Sequence, residues 1–159
     1  MRKVAGEVSE SKEYGRIKDD KFELADDLNI IQFCENLKTT IKDAYESGTT
    51  MVEAEKLAGR FLHAMLHIAE ELRVSDLDAR MRKTGVKAIK AAVYLQNAQA
   101  SDKKPSDKML EAMVDQDKLV GSQQEGYDTA EVHKNYLQSV YDVCKEAHVF
   151  MRGIAKQQG

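Results

Sequence analysis

Tryptophan is absent from this 159-residue chain, proline occurs once, and aromatic residues make up only 6%. A core of stacked aromatics is thereby excluded, and the interior has to be assembled mainly from Leu, Ile, Val, Ala and Met. Two cysteines cannot form a disulfide framework. Cys34 and Cys144 both fall at apolar positions of separate predicted helices and read as reduced thiols used as small hydrophobes. No apolar run approaches the ~20 residues that a membrane span needs. The stretch from Met1 to Glu7 lacks the apolar centre of a secretory signal. These absences predict a soluble, cytoplasmic protein that binds no membrane.

What is abundant points to helix. Ala, Leu, Lys, Glu, Gln and Met dominate, and charged residues reach 32% with both signs interspersed, as on solvated helix faces. The composition predicts an all-α fold. Residues 1–22 are charge-balanced and poor in large apolar side chains. They bury too little surface to offset their ordering entropy, so a flexible N-terminal arm is expected, with a single helical-bundle domain over 23–159.

Apolar spacing divides that domain into four long helices and one short one. A first helix starts near Asp26 or Asp27 and ends before Gly48, with Ile30, Cys34, Leu37, Ile41 and Ala44 as its buried stripe. Thr50 and Glu53 have capping-box spacing and open a second helix to about Arg73. Its stripe is Met51, Ala54, Ala58, Phe61, Met65, Ile68 and Leu72, which is regular enough for shallow packing against neighbours. Ser75 caps a third helix whose core stripe is Leu77, Met81, Ala88, Ala91 and Leu95. Val86, Ile89 and Val93 lie on its opposite side, a second apolar face that either packs inside a single-chain bundle or forms half of a subunit interface. A break at residues 101–106 leads to a short acidic helix capped by Ser106, with Met109, Leu110, Met113 and Val114 apolar. Gly121 to Gly126 reads as a polar loop. A second capping box, Asp128 to Glu131, opens the last helix, whose stripe is Leu137, Val140, Cys144, Ala147, Met151 and Ile154.

The chain carries a net charge of −3, yet basic residues gather between Ala79 and Lys104, where Asp102 is the one acid. At ~100° per residue, Arg80, Lys83, Lys87, Lys90 and Tyr94 share roughly a quarter of the helix circumference. Arg82, Lys103 and Lys104 add charge nearby. Such a rail suits the phosphates of a nucleic-acid strand, with Tyr94 placed to stack on a base. The competing reading is a solvated face that forms salt bridges to the acidic helix between Asp107 and Asp117.

Other constellations are weaker. His63 and His67 stand one turn apart, a spacing that can seat a metal, but the glutamate of a zinc-protease helix is missing after His63. Both also point away from the core stripe. His133 and His148 lack the Glu-x-x-His spacing of di-iron bundles. No nucleophile elbow, phosphate-binding glycine loop, Cys-x-x-Cys pair or catalytic triad is legible, and Asp115 and Asp117 read as solvated carboxylates. No enzyme, metal or cofactor is expected.

The run from Met109 to Leu119, the polar gap after it, and the long helix ending near Phe150, Met151 and Arg152 resemble the T4-type phage recombination mediator family. The order of basic helix, short acidic helix and long terminal helix is also similar. The resemblance covers about a third of the chain. It implies a homo-oligomer in the host cytoplasm that binds single-stranded DNA, rather than RNA, beside a recombinase and a single-strand-binding protein. In that reading Arg80, Lys83, Lys87, Lys90, Lys103 and Lys104 meet phosphates and Val86, Ile89 and Val93 join subunits. The alternative is a non-catalytic adaptor acting through protein–protein contacts.

Overall fold

A computed structural model describes residues 29–157; the expected arm and the first residues of the expected bundle lie outside them. The described chain is all-α: α1 (Ile30–Ser47), α2 (Met51–Gln99), α3 (Asp107–Gln116) and α4 (Lys118–Lys156). It resolves into two compact units that share α2 and α4, one taking residues up to Glu71 and from Leu137 onward, the other Leu72–Tyr136.

The first unit packs α1 against the start of α2 and the end of α4. Asn29 caps α1, its Oδ1 accepting from Gln32 N at 2.8 Å. Gly48 ends it at φ 70°, ψ 151°, a backbone region nearly closed to residues with a Cβ. Thr50 and Glu53 form the expected reciprocal box: Glu53 N donates to Thr50 Oγ1 at 3.3 Å, and Thr50 N to Glu53 Oε2 at 3.0 Å. The core joins Phe33, Cys34 and Leu37 of α1, Phe61 and Ile68 of α2, and Leu137, Cys144 and Met151 of α4, all but fully buried. Each large member contributes about 1.5–3 kcal/mol by leaving water. Ala54, Ala58, Ala64 and Ala147 are buried among them and let the helix backbones approach.

Two contacts tie α4 to the backbone of α2. Cys144 Sγ donates to the Phe61 carbonyl at 3.3 Å. His148 Nδ1 lies 2.8 Å from the Ala58 carbonyl, so that nitrogen carries the ring proton. Phe33 meets His67 edge-on at 4.7 Å between centroids, and Tyr45 stacks on Phe150 at 4.8 Å.

The second unit is built from the rest of α2, all of α3 and the start of α4. Its core is smaller: Val93, Val114 and Val120 cluster, with Ile89 and Tyr94 packed on them, and Ala79, Val86 and Leu110 are also buried. Ser106 caps α3, its side chain accepting from Met109 N. Asp117 closes α3 through its own N–H to Val114 O and opens α4 by accepting from Leu119 N and Val120 N at 2.8 and 3.1 Å. One residue therefore makes the turn between two helices.

Three expectations need correction. The second and third helices are one, α2, because no Gly or Pro falls near Ser75 and a seven-residue repeat runs unbroken through Ala58, Met65, Leu72, Ala79, Val86 and Val93. The segment from Gly121 to Gly126 is helical, and Asp128 caps nothing. Two helix-interior glycines cost only about 1 kcal/mol each, which a helix of this length tolerates; a Cβ at Gly126 would sit 3.1 Å from Arg82 Nη1, the movable end of a half-exposed side chain. The third correction concerns the apolar faces of residues 77–95. Val86 and Val93 are buried within this chain and Ile89 packs beside them, so they are no spare interface, while Leu77, Met81 and Leu95 are exposed. Two apolar faces on opposite sides look alike in sequence. Val114 and Val120, supplied by α3 and α4, decide which one goes inside. Met109 and Met113, expected on the apolar side of the short helix, are exposed as well.

Candidate nucleic-acid interface

The rail lies on α2 in the second unit, where the buried face fixes its direction. With Val86 and Val93 turned inward, Lys83 and Lys87 stand in solvent and Lys90 is half-buried. At ~1.5 Å per residue the three lysines span about 10 Å along the helix. Lys103 and Lys104 are exposed in the segment that follows α2.

The arginines differ from the lysines. Arg80 Nη2 pairs with Asp76 Oδ2 at 2.9 Å, and Arg82 Nε contacts both carboxylate oxygens of Asp78 at 3.0–3.1 Å. Asp76 also faces Lys134 of α4 at 3.9 Å. Lys83, Lys87 and Lys90 form no ion pair among the described residues. The acidic helix thus does not neutralise the rail by direct pairing. Its Asp107 Oδ1 accepts instead from Tyr94 OH at 3.0 Å.

That bond changes the reading of Tyr94. The ring packs on the valine cluster and the hydroxyl is held by α3, so Tyr94 is a structural link and not a free stacking platform. The Asp107 bond, with Glu111 nearby, raises its pKa above the ordinary tyrosine value. The partner stands 13 residues further on, beyond the reach of any periodicity argument.

Other candidates are absorbed by packing. His67 lies against Phe33 and His148 bonds the Ala58 carbonyl. Among the described residues no group of three His, Cys, Asp or Glu side chains could hold a metal ion, and no helix is long and apolar enough to cross a membrane. A cleft of about 430 Å³ beside Gly48 is lined by Asp43, Glu53, Lys56 and Arg60, charges of both signs. Its hydroxyls are committed to backbone carbonyls: Thr40 to Asn36, Ser47 to Asp43 and Thr49 to Ala44. None is poised beside a base as a nucleophile would be.

Sequence reasoning missed two features of this region. Asp117 works as a double cap, a role its place after the short helix could have suggested. The exposed apolar face through Leu77, Met81 and Leu95 was visible as a stripe but assigned to the interior. Comparison with protein-family models, curated proteins and solved structures finds no match to this chain.

Proposed function

We propose that the protein binds single-stranded nucleic acid, DNA in preference to RNA, along α2 and without catalysis of its own. The observation that carries this is that Lys83, Lys87 and Lys90 form no ion pair among the described residues. Carboxylates stand in the same unit on α3, and neighbouring arginines have found partners, yet among the described residues these three ammonium groups have none. Cations held at helical spacing and free of protein carboxylates are available to phosphate oxygens. Lys103 and Lys104 extend the track beyond the helix, while Arg80 reaches a phosphate only by leaving Asp76. A mediator role beside a recombinase and a single-strand-binding protein is the finer form of this reading.

The test is fluorescence anisotropy of a labelled single strand of ~40 nucleotides, several site sizes long, titrated with wild-type protein and with the Lys83→Ala/Lys87→Ala/Lys90→Ala variant. The variant is expected to bind all sequences at least about tenfold more weakly. Equal binding by the two proteins would remove the rail from the mechanism, and no binding by either would end the nucleic-acid reading.

A further inference from the structure

The side of α2 turned away from the second unit's core is apolar and open. Val74, Leu77, Met81 and Leu95 are 50%, 54%, 66% and 57% exposed, and Thr84, Ala88 and Ala91 between them are exposed too. These seven positions step 3-4-3-4-3-4, filling every a and d place of three heptads and the first a place of a fourth. The seam runs about 30 Å at ~1.5 Å per residue. Its large side chains stand toward the ends, and Thr84, Ala88 and Ala91 leave the middle low enough for another helix to approach to ~8 Å.

The two long edges of the seam differ. One carries Arg80 and Lys87, with Lys83 behind them; the other carries Asp78, Gly85 and Ala92. Lys87 has no ion-pair partner among the described residues. We propose that this seam is the docking site for an amphipathic helix of another protein, with Asp or Glu along the flank that meets Arg80 and Lys87.

Charge argues against a second copy of this chain as the occupant. An antiparallel copy brings Lys87 beside its own counterpart, and a parallel copy sets Arg80 and Lys87 against Gly85 and Ala92. Neither arrangement gives Lys87 a carboxylate. As a helix, the chain's own acidic stretch, residues 17–28 with Asp19, Asp20, Glu23, Asp26 and Asp27, would reach only about 18 Å at ~1.5 Å per residue, short of the seam. An acidic-edged partner helix both buries the apolar row and neutralises the lysine. The apolar row lies apart from the strand-binding rail, but Arg80 and Lys87 on its edge belong to both, so a docked helix and a bound strand would compete for Lys87.

The probe is a labelled synthetic helix of three heptads with Leu at a and d and Glu at e and g, compared with a twin carrying Lys at e and g. Each is titrated with the full chain by anisotropy. The Glu helix is expected to bind at least about tenfold tighter than its twin. Met81→Gln and Leu95→Gln, which remove apolar surface without changing charge or the core, are each expected to weaken the Glu helix about tenfold. Equal affinity for the two helices, or unchanged binding by both Gln variants, would overturn the proposal. A doubled mass in sedimentation equilibrium that Met81→Gln abolishes would assign the seam to a second copy instead. A chain lacking residues 1–28 that binds the Glu helix tenfold tighter would assign it to the chain's own segment.

Discussion

Cys144 stands fully inside the first unit, its Sγ donating to the Phe61 carbonyl, and burial pushes its pKa up to about 12; burial likewise raises Cys34 to about 11. Both values lie above the ordinary 9.0, so the folded protein holds these protons more tightly than the unfolded chain does. Stability from the neutral thiols is therefore complete below pH 9 and declines as pH rises toward 11 to 12. Urea midpoints measured from pH 8 to pH 11 are expected to fall more steeply for wild type than for Cys34→Ala/Cys144→Ala. Tyr45, Tyr94 and Tyr127 are raised too and act in the same direction, so the difference between the two proteins isolates the thiols. Identical slopes would contradict the burial account. Both cysteines were legible in the sequence as buried hydrophobes because their stripes have an unambiguous phase. Tyr94 was legible only as an aromatic beside lysines. Its hydroxyl bond to Asp107 predicts that Tyr94→Phe speeds hydrogen exchange at the amides of α3 while changing strand affinity by less than about twofold. A large loss of affinity would return Tyr94 to the role of a stacking residue.

At the scale of elements, sequence periodicity read the first unit well. The predicted stripes of α1, of α2 up to Ile68 and of α4 from Leu137 contain most of the buried residues, but Ile30, Ala44, Met51, Met65 and Ile154 are only half-buried, and Phe33, Thr40 and Ala64 are buried without having been predicted. There each helix has a single apolar face, so phase alone determines direction. From residue 77 onward α2 has two, and the larger Leu and Met side chains drew the prediction to the wrong one. The continuous repeat from Ala58 to Val93 was present in the sequence but was masked by Ser75, a residue that caps helices as readily as it joins them. The glycines separate the two kinds of position. Nothing lies within 4 Å of a Cβ built at Gly85, so Gly85→Ala is expected to stabilise the protein by about 0.5–1 kcal/mol. Gly48, at φ 70° and ψ 151°, is expected to lose about 1–3 kcal/mol on substitution by Ala. Chemical denaturation of the two variants checks both signs; destabilisation by Gly85→Ala would contradict an open site at this position.

For the whole molecule, the charge distribution matters more than the total. The chain is net negative, and an acidic protein does not attract polyanions through its overall field. Binding to a strand must then come from a few discrete contacts, and the number of those contacts can be counted. The composition made the all-helical fold legible, but the candidate site was legible only in part. A row of lysines can be read from spacing, whereas whether the carboxylates of α3 pair with them depends on where α3 comes to rest. The most direct test is the slope of log affinity for a single strand against log salt, measured for wild type and for Lys83→Ala/Lys87→Ala/Lys90→Ala. At ~0.7 per phosphate contact on single strands, the slope is expected to flatten by about 2 in the variant. An unchanged slope, at whatever affinity, would show that these lysines do not meet phosphates.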